Sequence, residues 1–155
     1  MATAYSTLLK LALPTQGEIS GTWGTVINEN ITGMIEEAVA GSKTINTWSG
    51  NAATLSTANG TTAEARAAIL NLTDSSTSLS GAANLVCPAL TKTYLIKNGT
   101  AQTVTLKTSS GTGIAVPTGK SMWLYCDGTN VVEGVNHVAG ALTVAGAITG
   151  SSTLQ

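Results

Sequence analysis

One histidine, eight carboxylates, two cysteines and one glycine-punctuated loop are all that this 155-residue chain offers for catalysis or metal binding. His137 stands in VNHVAG with no second zinc ligand and no nucleophile beside it, so a structural or solvated role is expected. The carboxylates are Glu18, Glu29, Glu36, Glu37, Glu64, Asp74, Asp127 and Glu133. Glu36 and Glu37 are neighbours on an expected helix, where adjacent side chains diverge by about 100° and do not converge on one substrate. A polysaccharide-cleaving pair would need Asp127 and a distant partner, which no spacing proposes. From Gly113 to Ser121 the chain reads GIAVPTGKS, with one residue too many between the glycines for a phosphate loop and a strand-like context around Pro117. Cys87 in LVCP and Cys126 in WLYC sit in apolar strand contexts. Without a visible export signal, synthesis in a reducing compartment is expected, and two buried thiols are favoured over a disulfide. No catalytic residue, cofactor or metal site is expected, and the chain reads as non-enzymatic.

Whatever the chain does, its elements must do it by shape and contact. Hydrophobic residues make up 43% of the chain, yet there is no Phe and aromatics reach only 4%, so much of the apolar content is Ala and Val. At roughly 25 cal/mol per Å² of buried apolar surface such a core is thin, and burial between chains is the expected remedy. Charged residues are 10% of the chain, and the seven basic ones (Lys10, Lys43, Arg66, Lys92, Lys97, Lys107 and Lys120) are scattered singly. Nucleic-acid binding needs clustered cations, so that partner is not expected. The start MATAYSTLLKLAL has no basic lead and its apolar run is broken by Lys10, unlike a secretory peptide, and no stretch approaches the ~20 apolar residues of a membrane helix.

Three regions follow from the pattern. In residues 1–41, Leu9, Leu11 and Leu13 alternate with Lys10 and Ala12, predicting an extended arm that ends at Pro14. TQGEISG is a turn. Trp23, Ile27, Asn30, Ile31, Met34, Ile35 and Ala38 then recur three and four apart, predicting an amphipathic helix capped near Ser20 or Thr22 and stopped by Gly41. Asn30 inside that stripe admits two readings: a buried residue fixing register in a parallel helix bundle, or a partly exposed residue at the stripe's edge.

Residues 42–136 read as a small β module. Thr61 and Glu64 have capping-box spacing before AEARAAILNL, predicting about two helical turns. From Ala82 to Val135 come short strands separated by turn residues, with Asn98-Gly99 and Asp127-Gly128 as hairpin signals. This predicts a small antiparallel sandwich or roll. In 137–155, Leu142, Val144 and Ile148 alternate with small residues and recurrent Gly. Such a stretch suits the start of an intertwined fibre shaft; the other reading is a disordered Gly/Ser tail. The pattern breaks off at Gln155, as expected of a piece of a longer chain.

The segment YSTLLKLALPTQGEISGTWGTVINENITGMIEEAVAG resembles the N-terminus of fibre-type structural proteins of short-tailed marine bacteriophages. TYLIKNGTAQTVTLKTSSGTGIAVPTGKSMWLYCDGTNVVEGV resembles a module of the same proteins, and the two cover about half of the chain. The resemblance implies a homotrimeric tail fibre in the virion: an N-terminal region docked on adaptor or nozzle proteins of the tail hub, a β module, then a shaft leading to a distal receptor-binding tip. It implies no catalytic residues. Expected interface residues are Trp23, Ile27, Asn30, Ile31 and Met34 on the helix, with Leu142, Val144 and Ile148 in the shaft. The rival within the particle is a capsid fibre or decoration protein. The rival of another class is a carbohydrate-binding module using Trp123 and Tyr125, which share a strand face. With Met122 and Leu124 beside them, those two are expected in the core rather than on a platform.

Overall fold

The computed structural model describes residues 3–140. It is mainly β, with three sheets and one helix of 18 residues. The expected interface positions Leu142, Val144 and Ile148 lie outside the described residues.

The N-terminal arm is not one extended run. β1 (Ala4–Tyr5) and β2 (Ala12–Leu13) pair antiparallel, and the chain doubles back between them. The reversal passes through Lys10 at φ 57°, a conformation that costs an L-residue roughly 1–2 kcal/mol. The Lys10 carbonyl accepts from Gly60 N–H at 2.8 Å, which ties the reversal to the β module. Alternation alone did not reveal this turn, because it carries neither Gly nor Pro.

Helix α1 comprises α-helical turns over Trp23–Ile27 and Gly33–Ala40 joined by a π-helical turn over Asn28–Thr32. Thr22 occupies the N-cap, although its side chain makes no capping bond. Gly41 ends the helix in extended backbone, and a Cβ there would lie 2.3 Å from the Glu37 carbonyl oxygen.

The β module holds β3 (Ser42–Ile45), β4 (Ala52–Thr54), β5 (Ile69–Leu72), β6 (Ala83–Val86) and β7 (Thr91–Asn98). It continues with β8 (Val104–Lys107), β9 (Gly113–Val116), β10 (Ser121–Asp127) and β11 (Val131–Glu133). One sheet has the order β11-β10-β7-β5-β3 and the other β4-β6-β8-β9. From β3 to β8 the chain alternates between the sheets, so β3, β5 and β7 are parallel neighbours in one, and β4, β6 and β8 in the other. Within these two sheets the antiparallel strand pairs are β7-β10, β10-β11 and β8-β9. The pairing is therefore mixed, not antiparallel throughout. Asp127-Gly128 does close a hairpin, from β10 to β11. Asn98-Gly99 does not. There the chain crosses between sheets, and the buried Asn98 amide donates to the carbonyls of Gln102 (2.9 Å) and Val116 (2.8 Å) while its oxygen accepts from Thr100 N–H and O–H.

The two turns of helix expected after Thr61 shrink to one 3-10 turn, Glu64–Arg66. The Glu64 carboxylate accepts from Ser56 N–H at 2.8 Å. Ile69 and Leu70 belong to β5, where pairing on both sides by β3 and β7 overrides a local helical preference.

Inward residues of both sheets form one core that includes Leu70, Leu85, Ile96, Leu106 and Leu124, with Tyr94 and Trp48 as its aromatic members. A single chain thus closes its own β core. The surface left without a partner lies elsewhere.

Candidate functional site

The 3- and 4-residue spacing of the helix divides its apolar positions between two faces. Met34 is buried against the chain's own module, and Asn30 Nδ2 donates to the Gly60 carbonyl. Both were expected at an interface between chains; within one chain Met34 is buried, and half-buried Asn30 has its amide engaged by the module. Every fourth residue from Trp23 instead forms an outward ridge of Trp23, Ile27, Ile31, Ile35 and Val39. Trp23 is 66% exposed, Ile35 43% and Val39 75%, while Ile27 is exposed and Ile31 half-buried.

A buried arginine fixes the inner face. Arg66 is 4% exposed. Its Nε donates to the Leu9 carbonyl at 2.8 Å, its Nη2 to the Ala58 carbonyl at 2.7 Å, and its Nη1 to Glu37 Oε2 at 2.7 Å and to the Thr61 carbonyl. Met34 Sδ lies 2.9 Å from Nη1. Arm, helix and loop are thus held by one planar fork, a task for which a guanidinium's divergent donors suit it better than an ammonium's. Burial opposes ionisation of Glu37, but Arg66 and Lys43 outweigh it and hold the carboxyl below the ordinary carboxylate range. Lys43 Nζ stands 3.0 Å from Glu37 Oε1 without hydrogen-bond geometry, so that contact is ionic only. Gly60 completes the junction at φ 61°: a Cβ there would fall 2.8 Å from the Tyr5 ring and 3.1 Å from Asn30 Nδ2.

Neither Arg66 nor Glu37 stood out in the sequence, where one was a scattered cation and the other half of an adjacent carboxylate pair. The available signal was the set of small residues in AEARAA. Ala63, Ala65 and Ala67 are all buried, which leaves room for a guanidinium among them.

The outer face of the five-stranded sheet carries an apolar patch as well. Trp123 is 60% exposed and Tyr125 is also exposed, contrary to the expected core placement, while Leu124 and Cys126 take the inward positions. Strand alternation required one of these two pairs to face out, and the sequence did not say which.

Groups suited to chemistry are occupied structurally. The Asp127 carboxylate accepts from Thr129 N–H (2.8 Å) and Asn130 N–H (2.7 Å), and these backbone bonds hold its pKa down. A general acid would need the opposite shift. Cys87 and Cys126 are free and buried; burial, together with the adjacent Cys126 thiol, pushes Cys87 up to about 12. Lys92 Nζ donates to the Ala67 (3.0 Å) and Thr93 (3.2 Å) carbonyls and sits 4.4 Å above the Tyr94 ring centre. Burial lowers its pKa to about 8. A cavity of about 250 Å³ lies between arm and module, bordered by Leu9, Ala63, Leu90, Lys92 and Tyr94. Among the described residues no three His, Cys, Asp or Glu side chains gather as a metal site, and no helix is long and apolar enough to cross a membrane.

No family model, curated protein or solved structure matches the chain.

Proposed function

We propose that this chain is a non-enzymatic structural part of a bacteriophage tail fibre, in which the arm and helix anchor a homotrimer to the tail and the β module supports the shaft. The observation that carries the reading is the ridge from Trp23 to Val39: large apolar side chains held outward on a helix whose inner face is locked to the module by Arg66. Monomers rarely leave a contiguous apolar surface of that kind without a partner. In this reading the β unit is a compact sandwich-type module, and the stretch from Gly140 onward begins the shaft, on the composition argument already given. The virion is the site of action, the host cytoplasm the site of synthesis, and a distal region would meet the host receptor.

Replacing Ile27 and Ile31 together with Asp tests it. The expected result is a folded β module that no longer joins the particle. Normal incorporation of the doubly substituted chain would sink the proposal. A second reading is favoured by exposed Trp123 and Tyr125, which stand two residues apart on one sheet face as sugar-stacking aromatics do. Their neighbours across the sheet weigh against it. Trp123 is opposite Leu95, and Tyr125 lies between Val132 and Thr93, so the Thr93 hydroxyl is the one hydrogen-bonding side chain directly opposite the two aromatics where a sugar would need several.

A further inference from the structure

We infer that the outer face of the five-stranded sheet, centred on Ile69, Leu95 and Trp123, is buried against a second copy of this chain and continues the helix ridge as one seam. The inference rests on the trimeric reading above and adds the surface by which copies meet.

Register places the three residues in one row across three strands: Ile69 is the partner of Leu95 in β5-β7, and Leu95 the partner of Trp123 in β7-β10. Their neighbours Leu70, Ile96 and Leu124 point into the core, so the row stands on the opposite face. Leu95 is 38% exposed. Val39, the last residue of the helix ridge, lines the same groove as Ile69, Leu95 and Trp123, so ridge and row adjoin, with Lys92 and Thr93 also bordering the groove.

Size and charge both point to self-association. Leaving out half-buried Ile31 and Ile69, the exposed fractions of the ridge and row side chains, with Tyr125 and Val132, correspond to roughly 800 Å², about what each partner contributes to a standard stable interface. None of these side chains is charged, so copies brought together along the seam face no like-charge repulsion. Lys97 and Asp127, on the same sheet face, sit beyond the apolar residues at opposite ends of the paired strands. These two charges thus stand at the border, as at the rim of an interface, while the Lys92 ammonium beside the groove is held on the Ala67 and Thr93 carbonyls.

Hydroxyl-radical footprinting of the unmodified chain, alongside its mass in solution across a dilution series, tests this. Leu95 and Trp123 should be oxidised in dilute monomer and protected about fivefold or more when the trimer forms. The double variant Leu95→Asp/Trp123→Asp, folded by circular dichroism, should raise the concentration needed for assembly by about tenfold or more. A trimer in which both residues stay as reactive as in the monomer overturns the inference and leaves the trimeric reading standing. Protection independent of concentration also overturns it, since the cover would then be the chain itself. Protection by added oligosaccharide but not by assembly would assign the face to a sugar. A monomer at every concentration removes the trimeric reading and this inference together.

Discussion

Replacing Arg66 with Met should release the arm and helix from the β module without melting the module. The substitution keeps the length and apolar stem of the side chain but removes every donor, leaving Glu37 in a nearly closed site and the carbonyls of Leu9, Ala58 and Thr61 without their partner. Removing one member of a buried ion pair costs about 3–5 kcal/mol. Lys43 remains 3.0 Å from Glu37 Oε1 and moderates the loss, which places the expected cost near the lower end, about 3 kcal/mol. That is a large part of the ~5–15 kcal/mol stability of an ordinary domain. Because the Arg66 donors reach the arm, the helix and the loop before the 3-10 turn rather than the two sheets, the loss should be local. Urea unfolding followed by far-ultraviolet circular dichroism should separate an early helix transition from a later β transition. Hydrogen exchange should show amides of 23–40 opening first. Arg66→Lys should rescue only partly, since one ammonium cannot serve three divergent carbonyls and a carboxylate. A cost below about 0.5 kcal/mol, the level of ordinary surface substitutions, would refute the reasoning.

Three further outcomes follow from the same geometry. Glu37 is held below the ordinary carboxylate range, so the unfolded chain binds its proton first; helix docking should be intact above about pH 4.3 and weaken as pH falls through the lower folded value. Glu37→Gln should flatten that dependence in hydrogen exchange over 23–40. Cys87, with its thiol pushed up to about 12, and buried Cys126 should both resist iodoacetamide at pH 8 in the folded chain and react after unfolding, as read by intact mass. Purified protein should show no turnover of bacterial polysaccharide, because Asp127 is spent on its own hairpin; turnover lost on Asp127→Asn would overturn the structural reading.

The local elements were largely legible and their partnerships were not. Helix α1 spans the residues its spacing predicts, and each strand predicted between Ala82 and Val135 is present, because periodicity and turn residues report local conformation directly. The pairing of β5 between β3 and β7 depends on contacts more than twenty residues away, which no local pattern encodes. Asn98-Gly99 has the composition of a hairpin, yet the Asn98 amide satisfies the Gln102 carbonyl and that of Val116 at the end of β9, and the chain turns between sheets. Gly50 and Asn51, both at positive φ between bridged Ser49 and Ala52, form a tight turn that their residue types suit. For the helix, spacing identified the apolar positions but not their division into an outward ridge and an inward face. That division depends on Arg66, and a lone arginine among alanines carries meaning only once the helix is laid against it.

An electron-microscopy map of the assembled particle tests the central claim most directly. The account predicts three copies of the β module around one axis at the base of a fibre leaving the tail. The helix ridges, including Ile27 and Ile35, should be covered by neighbouring copies or hub proteins. Density for these residues on the capsid surface, or as single copies with the ridge open to solvent, would contradict it.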